Sequence, residues 1–384
     1  MNPLIVSTYP PRKCGIATFT SDLCEGMKNA SIRPLILAMI RDKEEGDYPE
    51  EVFIKVQEEE LDDYINSAEA INNSSIDIVN IQHEFGIFGG ECGSYILEFA
   101  ERLKKPLVTT LHTVLSKPES KQVEIIRELS KLSKKTVVMT KAAIDILYSS
   151  YGVRKERITV INHGVPKLSI YRRPYLKRVY GYKGKRIICT FGLISEGKGL
   201  EYAITGFAKV APMYPDTIYI IMGETHPVVK KHYGEVYREK LSNLIQSFGL
   251  EDRVFLINRF LDQEELMNYL EMTDIFITPY VGYEQISSGA LTFAVGAGKA
   301  IISTPYIYAV DLLSNNNGVL CKFRDDASIA EALDYILSSY DRQREFEKRT
   351  RAIGETMQWD NIAKTYLGLF SEIIENENDG QNKI

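Results

Sequence analysis

The chain has 384 residues, of which 44% are hydrophobic and 26% are charged, and its formal net charge is −6. This composition is ordinary for a globular protein, and the length suggests two or three domains. The mild negative charge argues against a dedicated nucleic-acid-binding protein, so we expect no nucleic-acid partner.

No apolar run approaches the ~20 residues of a membrane-spanning helix, and the N-terminal residues are typical of a short strand, not of a signal peptide. The cysteines lie far apart without a CxxC pair, which indicates neither a zinc site nor a disulfide framework. From these features we expect a cytoplasmic protein with no transmembrane segment.

Short runs rich in Val and Ile alternate with helical patterns along nearly the whole chain. Most runs are continuous apolar blocks, a pattern typical of strands buried on both faces of a parallel sheet. In the first half the predicted strands are Leu4–Ser7, Pro34–Ile40, Ile76–Gln82, Leu107–Leu111, Thr136–Thr140 and Ile158–Ile161. In the second half they are Arg186–Phe191, Thr217–Met222, Val254–Ile257, Ile275–Thr278, Ala300–Ser303 and Gly318–Lys322.

Repeated strand–helix–strand units predict an α/β fold of two doubly wound, Rossmann-like domains that face each other across a cleft. The break falls near residues 165–185, which are rich in Pro, Gly and basic residues. The predicted domains are 1–168 and 169–360, followed by a closing helix over 361–384 with a frayed tail. Because ligands bind beyond the carboxyl ends of the strands in such sheets, the residues that follow strands are the candidate site residues.

In the first domain, polar residues and glycine follow several strands. The segment YPPRKCG after the first strand is either a proline-stiffened crossover loop or a backbone loop in which Gly15 lets a ligand come close. His83 and Glu84 follow the third predicted strand, and His112 follows the fourth. A single histidine is usually structural, but four of the chain's histidines follow strands, which makes His112 the strongest candidate for a ligand contact.

In the second domain, FGLISEGKGLE over residues 191–201 predicts a strand, a turn and a helix. Lys198 lies where the helix begins, and the unpaired N–H groups and the dipole of a helix N-terminus favour an anion there. Gly192 and the glycine after the lysine let the backbone come close to a ligand. The pattern predicts a diphosphate site, although a lone Gly-Lys-Gly also occurs in ordinary turns.

Two further strand ends of this domain carry polar candidates. Arg259 follows the strand at 254–257 and is either a bidentate ligand for phosphate oxygens or an ordinary surface arginine. Glu224 and His226 follow the strand at 217–222 and can reach the same edge of the sheet.

The segment after the strand at 275–278 predicts a second anion site. Ser287, Ser288 and Gly289 open a short helix that is apolar all round, and such a helix N-terminus can cradle a phosphate. Glu284 and Gln285 lie in the loop before it, where they can hydrogen-bond sugar hydroxyls. Helix capping alone would also explain the serines.

In this order, these segments resemble the GT-B glycosyltransferases, and most closely glycosyltransferase family 4. The resemblance covers nearly the whole chain, through PPRKCG, DIVNIQHE, TTLHT, NHGV, FGLISEGKG, DIFITPY and GAGKAIIST. It implies a nucleotide-sugar donor bound mainly by the C-terminal domain, a carbohydrate acceptor bound mainly by the N-terminal domain, and transfer with retention of anomeric configuration. It also implies that no metal or other cofactor is required, and that the closing helix crosses back to the first domain.

Together the residues and the resemblance assign a set of expected roles. The expected catalytic residues are His112, Lys198, Arg259 and Gln285. The expected donor-binding residues are Gly15, Gly192, Glu224, His226, Glu284, Ser287, Ser288 and Gly289. The expected acceptor-side residues are His83 and Glu84.

The sequence departs from the family pattern at two places. Leu193 stands where the family has an arginine that pairs with the lysine matched by Lys198, and Arg259 is expected to supply the missing cation from a neighbouring strand. Gln285 and Phe293 stand where the family has two glutamates, the second of which generally holds the donor ribose.

The expected function is a hexosyltransferase that moves a mannosyl or glucosyl group from a nucleotide sugar to a carbohydrate or related acceptor. Three alternatives stay open. A glycoside phosphorylase on the same fold would release sugar 1-phosphate from an oligosaccharide. A sugar-nucleotide 2-epimerase would change its substrate without an acceptor, and a two-lobed solute-binding protein would bind a sugar without turnover.

Overall fold

The computed structural model describes residues 1–12, 14–41, 47–167, 172–259 and 261–381. The chain forms two compact units, Met1–Gly164 together with Met357–Ile384, and Val165–Thr356. The predicted domain limits at 168 and 360 fall shortly after these boundaries. Residue 13 of the PPRKCG segment and the last three residues of the predicted frayed tail lie outside the described residues.

Each unit is built on a parallel sheet. The strands of the first unit are β1 Pro3–Ser7, β2 Leu35–Ile40, β3 Val52–Gln57, β4 Ile78–His83, β5 Leu107–Leu111, β6 Lys135–Val138 and β7 Ile158–Val160, in the order β3-β2-β1-β4-β5-β6-β7. The strands of the second unit are β8 Arg186–Phe191, β9 Thr217–Met222, β10 Val254–Ile257, β11 Ile275–Thr278, β12 Ala300–Ser303 and β13 Val319–Leu320, in the order β10-β9-β8-β11-β12-β13.

Helices connect the strands in both units. They are α1 Gly15–Asn29, α2 Leu61–Asn72, α3 Tyr95–Arg102, α4 Ser120–Leu132, α5 Ala142–Tyr151, α6 Arg173–Val179, α7 Leu200–Val210, α8 Pro227–Tyr233, α9 Val236–Ser247, α10 Gln263–Met272, α11 Gly289–Gly296, α12 Ile307–Leu313, α13 Asp326–Leu337, α14 Tyr340–Thr356 and α15 Trp359–Gln381. Among these described helices, none is long and apolar enough to cross a membrane. The alternation of strands and helices around two parallel sheets makes the fold α/β, with two Rossmann-like domains.

The central strands of the first sheet are buried along their whole length, which explains their continuous apolar sequences. Every residue of β1, β4 and β5 is buried. One face of the sheet packs against α1 and α15, and the other against α2, α3 and α4. Burying each large apolar side chain stabilises the fold by about 1.5–3 kcal/mol, so both faces must be covered by helices.

The last helix, α15, packs on the first helix within the first unit. A Cβ atom on Gly26 of α1 would lie 2.7 Å from the backbone oxygen of Trp359, so the two helices cross in close contact only because residue 26 is glycine. Tyr366 and Phe370 of α15 are fully buried in the same core as Phe19 and Leu23 of α1. The chain's C-terminal helix is therefore part of the first unit's core.

Two local features differ from the sequence predictions. Strand β3 was not predicted, because it pairs only with β2 at the edge of the sheet and alternates exposed and covered residues instead of forming an apolar block. The sequence predicts that Ser328, with Glu331 three positions later, caps the helix after the last strand. Helix α13 instead begins at Asp326 with Asp325 as its cap, whose side chain accepts a hydrogen bond from the backbone N–H of Ser328.

In the second sheet, β8 lies between β9 and β11, and its last residue, Phe191, is in register with Met222 of β9. The carboxyl ends of these two strands therefore lie side by side, about 4.8 Å apart. The residues that follow them, Gly192 and Gly223, meet at that edge.

Candidate functional site

The turns after β8 and β9 are built from two glycines in close backbone contact. Gly192 has a φ of +129° and Gly223 a φ of +139°, a region that L-residues with a side chain rarely adopt. A Cβ atom on Gly223 would lie 2.1 Å from the carbonyl oxygen of Gly192. Only glycine at position 223 allows the two turns to lie against each other.

Beyond these glycines the two loops are joined by backbone hydrogen bonds. The N–H of Ile194 donates to the carbonyl of Glu224 at 2.8 Å, and the N–H of His226 donates to the carbonyl of Ile194 at 2.9 Å. Arg238 of α9 supports the second loop by donating from its guanidinium to the carbonyl oxygen of Gly223 at 2.7 Å. Glu224 and His226 are thus held beside the loop that leads to Lys198, with Glu224 exposed and His226 half-buried.

Lys198 lies at the end of a single 3₁₀ turn, Glu196–Lys198, directly before α7. Its ammonium nitrogen lies 4.0 Å from the ring centre of Tyr280 and 4.0 Å from the position a Cβ atom on Gly192 would occupy. A cation over an aromatic face is stabilised by about 0.5–2 kcal/mol, and this contact directs the ammonium towards the glycine turn. The predicted strand, turn and helix are therefore present, with the cation next to the bare backbone of Gly192.

Tyr280 links Lys198 to the N-terminus of α11. Its buried ring stacks on Tyr306 with the ring centres 5.0 Å apart, and its hydroxyl lies 3.5 Å from Oγ of Ser288. The Ser288 hydroxyl caps α11 by accepting a hydrogen bond from the N–H of Leu291 at 3.3 Å. Lys198, the glycine turn and the start of α11 thus form one continuous patch at the carboxyl edge of the second sheet.

The other predicted residues of the loop before α11 lie on its surface. Gly289 is exposed as the first residue of α11, and Ser287 is half-buried. Glu284 and Gln285 are exposed, and the carbonyl of Gln285 accepts a hydrogen bond from the N–H of Tyr308 at 3.0 Å. Their position is compatible with contacts to a ligand bound at the Lys198 patch.

Arg259 occupies a different part of the edge from the one expected. Strand β10 pairs with β9 and not with β8, so Arg259 does not come from a strand next to the one that precedes Lys198. Both of its terminal nitrogens bind the carboxylate of Glu265, one at 2.6 Å, and its side chain is half exposed. The bidentate fork is therefore directed to a carboxylate of its own domain.

The first unit places His112 inside a group of aromatic rings. Phe19 packs edge-to-face against His112, His163 and Trp359, with ring centres 4.7, 5.0 and 5.0 Å apart. Nε2 of His112 lies 2.9 Å from Oε1 of Gln82. Burial, with smaller contributions from neighbouring histidines, lowers the pKa of His112 to about 3, so its imidazole is neutral at physiological pH.

His83 and Glu84 lie beside this group but face different surroundings. The fully buried ring of His83 packs between Phe85 and Phe88, and burial lowers the pKa of His83 to about 3. Glu84 accepts hydrogen bonds from the N–H of Phe85 and from the hydroxyl of Thr113, and burial raises the pKa of its carboxyl. Both side chains are packed into the protein.

Gly15 is the exposed first residue of α1, and among the described residues no atom beyond its chain neighbours lies within 4 Å of the position of its missing Cβ. The helix is capped by Cys14, whose sulfur lies 3.4 Å from the N–H of Ala17. The fold itself therefore does not require glycine at position 15, and the space beside it is open.

Several residues that complete the two sites were not singled out from the sequence. Gly223 follows β9 in the same way that Gly192 follows β8, and this repeated strand–glycine pattern is a signal that could have identified it. Tyr280, Gln82 and Tyr366 have no such signal, because each makes its contact with a residue far away in the chain.

Family models match both halves of the chain. A model of group 1 glycosyl transferases matches residues 175–353, and a model of glycosyltransferase family 4 matches residues 14–167. A curated protein, spore coat protein SA of Bacillus subtilis strain 168, is 20% identical over 205 residues, which are 52% of this chain and 52% of that protein. The chain thus matches only about half the length of this curated relative.

Solved structures share the fold over nearly their whole length. A glycosyltransferase from Rickettsia africae has a TM-score of 0.77 at 17% identity, covering 98% of this chain and 99% of that one. Anabaena HepE, solved with UDP and glucose, has a TM-score of 0.76 at 15% identity, covering 97% and 100%. A sucrose-phosphate synthase from Thermosynechococcus elongatus has a TM-score of 0.78 at 14% identity, covering 98% and 100%.

The fold is of the GT-B class. It has two Rossmann-like domains, and the candidate residues lie at the carboxyl ends of their strands. The two family models together account for most of the chain. The chain belongs to the group 1, family 4-like glycosyltransferases.

Proposed function

We propose that the protein transfers a hexosyl group from a nucleotide sugar to a carbohydrate acceptor, with retention of configuration and without a metal ion. The observation that carries this proposal is the ammonium of Lys198, held beside the side-chain-free backbone of Gly192. A diphosphate leaving group develops negative charge as the glycosidic bond breaks, and a fixed cation stabilises that charge more in the transition state than in the ground state.

The structural neighbours support a nucleotide-sugar donor. Anabaena HepE was solved with UDP and with UDP-glucose, and a further neighbour from Escherichia coli was solved with UDP-2-fluoro glucose. In each case the ligand contains a diphosphate, the chemical group that the Lys198 patch suits. We take UDP-glucose as the probe for this protein, and the base and sugar of its own donor follow from the panel described below.

The remaining residues are assigned by their positions. The exposed side chains of Glu284 and Gln285 would hydrogen-bond hydroxyls of the donor, and the amides at the start of α11 would face its phosphates. His112 would hydrogen-bond a hydroxyl of the sugar substrate. In a retaining front-face reaction the departing phosphate accepts the proton of the acceptor hydroxyl, so no protein base is required.

We propose Arg259 as a second cation for the donor diphosphate, a role that requires its guanidinium to break the ion pair with Glu265. Replacing Glu265 with Gln removes the competing carboxylate, and a donor-binding arginine would then bind UDP-glucose more tightly than in the wild-type protein. If Glu265→Gln binds UDP-glucose with the wild-type affinity, Arg259 does not bind the donor and serves only in its ion pair with Glu265.

The test of the proposed function compares Lys198→Ala with Lys209→Ala. Lys209 is a matched control, because it pairs with Asp326 on the outer side of the same unit. We expect Lys198→Ala to lower kcat by about 100-fold or more, the loss typical of removing one group that stabilises transition-state charge, and Lys209→Ala to have no effect. Equal activity of the two variants would contradict the diphosphate assignment.

A thermal-shift panel decides the substrate class. A ligand that binds only the folded protein raises its melting temperature, so UDP, GDP, ADP and their sugars can be compared with inorganic phosphate and sugar phosphates. Stabilisation by a nucleotide sugar supports the transferase. Stabilisation by phosphate alone, with release of sugar 1-phosphate from an oligosaccharide, would replace it with a phosphorylase, and conversion of the donor without an acceptor would indicate an epimerase.

A further inference from the structure

A chain of hydrogen bonds runs from His112 through the buried interior of the first sheet to α15. Oε1 of Gln82 lies 2.9 Å from Nε2 of His112, and Nε2 of Gln82 donates to Oδ1 of Asn80 at 2.5 Å. Nδ2 of Asn80 donates to Oγ1 of Thr110 at 3.1 Å, and this oxygen lies 3.2 Å from the hydroxyl of Tyr366. Apart from His112, which is 7% exposed, every member has an exposure of 0%.

The Asn80 amide, in the middle of this chain, has a hydrogen-bonding polarity that cannot be reversed. Nδ2 of Asn80 also lies 3.2 Å from the carbonyl oxygen of Val108, and a backbone carbonyl only accepts hydrogen bonds. The Asn80 atom that faces Val108 must therefore be the amide nitrogen, and the Asn80 oxygen must face Gln82.

The polarity passes from Asn80 to the imidazole. Because the oxygen of Asn80 faces Gln82, the Gln82 atom next to it must be the amide nitrogen, and the Gln82 oxygen must face His112. An amide oxygen only accepts, so Nε2 of His112 carries a proton. In a neutral imidazole with a proton on Nε2, Nδ1 carries the lone pair.

We propose that Gln82 and Asn80 are positioning residues that hold His112 as the Nε2–H tautomer, so that the imidazole has one fixed hydrogen-bonding polarity towards the sugar substrate. The contact to the sugar rests on the proposed function, whereas the tautomer does not. The chain is set from within the protein, so His112 has one orientation and one hydrogen-bonding polarity before any substrate binds. Phe19 packs edge-to-face on the same ring, with the ring centres 4.7 Å apart.

The side-chain amides of Asn80 and Gln82 are held in place by the sheet and by α15. Asn80 and Gln82 belong to β4, Thr110 to β5 and Tyr366 to α15, so the chain of hydrogen bonds crosses two strands and a helix of one core. Removing the partner of a buried polar group lowers the stability of the folded protein by about 1–3 kcal/mol. A partly satisfied network would be costlier than an apolar core, which favours a fixed arrangement of all the members.

The tautomer is measured by two-dimensional NMR of the full-length protein labelled with ¹⁵N-histidine at neutral pH. The His112 signals are assigned by their loss in His112→Gln. We expect the wild-type spectrum to show His112 with a protonated Nε2 and an unprotonated Nδ1. A protonated Nδ1, or an imidazolium, would overturn the proposal without any substrate being present.

Variants separate the positioning role from a general structural one. Gln82→Met removes the acceptor oxygen and is expected to give a mixture of tautomers, whereas Tyr366→Phe removes only the far hydroxyl and keeps the wild-type tautomer because the polarity is set at Val108. If Gln82→Met does not fold, Gln82→Glu keeps an acceptor oxygen and is expected to keep Nε2 protonated. A Gln82→Met spectrum identical to that of the wild type would overturn the proposal.

Calorimetry then tests the contact to the sugar with UDP and UDP-glucose as probes. In Gln82→Met we expect the Kd for UDP-glucose to rise about tenfold while the Kd for UDP stays constant, because only the sugar contact depends on the imidazole. An equal change for both ligands would overturn the sugar contact. If the wild-type protein binds neither ligand, the proposed donor is wrong, and the NMR result still decides the positioning role.

Discussion

The ammonium of Lys198 lies over the ring of Tyr280, with the nitrogen 4.0 Å from the ring centre. The ring is buried and stacked on Tyr306, so it provides a fixed support for the cation. We expect Tyr280→Leu to lower kcat/KM by about tenfold, because a cation–π contact contributes about 0.5–2 kcal/mol and its loss lets the ammonium move.

The matched control for this prediction is Tyr280→Phe. It keeps the aromatic face and removes only the hydroxyl that lies 3.5 Å from Ser288, so we expect kcat/KM to stay within about twofold of the wild-type value. Circular dichroism and thermal melts show whether both variants are folded. Equal losses in the two variants would mean that the hydroxyl, not the ring, supports Lys198.

Replacing Gly223 with Ala should destabilise the second unit. The new Cβ would lie 2.1 Å from the carbonyl oxygen of Gly192, and the φ of +139° is unfavourable for any L-residue with a side chain. We expect a loss of more than about 2 kcal/mol in the free energy of unfolding, measured in urea. Gly282→Ala is the control, because no atom of the described residues other than its chain neighbours lies within 4 Å of its Cβ position. We expect a change of less than about 0.5 kcal/mol for this variant.

In contrast to Gly223→Ala, the Gly15→Ala substitution should leave stability unchanged and weaken donor binding. In the described part of the chain, no atom beyond its chain neighbours lies within 4 Å of its Cβ position, so Gly15→Ala should leave the free energy of unfolding unchanged. If the backbone of Gly15 contacts the donor, the added methyl should weaken UDP-glucose binding by at least about fivefold, measured by calorimetry. Gly368→Ala, at an equally open and exposed position of α15, should leave binding unchanged. Equal affinities in both variants would remove Gly15 from the donor site.

The sequence predicted the fold where burial dominates the pattern. Strands β1, β4 and β5 are buried on both faces, so their Val- and Ile-rich blocks identified them directly. Strand β3 was missed because an edge strand with one covered face alternates its residues and lacks such a block. The cap of α13 was also placed wrongly, because Ser328 and Asp325 both suit an N-cap and only the backbone geometry distinguishes them.

For the candidate site, the sequence predicted groups that are close in the chain and not those that meet through the fold. Gly192 and Lys198 belong to one strand–turn–helix segment, and their proximity followed from that segment. The strand order could not be derived, so Arg259 was expected next to Lys198 although β9 lies between their strands. The hydrogen bond between Thr110 and Tyr366 joins residues 256 positions apart, a contact that no local pattern encodes.

Two buried histidines, His83 and His112, and the partly buried His163 should make the protein unstable in mild acid. Burial lowers the pKa of His83 and His112 to about 3 and that of His163 to about 4, whereas an unfolded histidine has a pKa of about 6.5. Below pH 6.5 the unfolded chain therefore binds more protons than the folded one, and stability falls as the pH decreases towards these lower values. Well below pH 6.5, each histidine lowers the free energy of unfolding by about 1.4 kcal/mol per pH unit, and the three together lower it by about 4 kcal/mol per pH unit.

The measurement is a series of urea unfolding curves between pH 7.5 and 5.5, compared with those of two variants. His83→Gln removes one of the three proton-binding differences, so the fall in unfolding free energy between pH 7.5 and 5.5 should be smaller by about one third, a difference of about 1.4 kcal/mol over the whole range. His232→Gln replaces an exposed histidine of α8 and should keep the wild-type slope. A wild-type stability that does not change between pH 6.5 and 5.5, or a His83→Gln slope equal to that of the wild type, would show that His83 is protonated in the folded protein as readily as in the unfolded one.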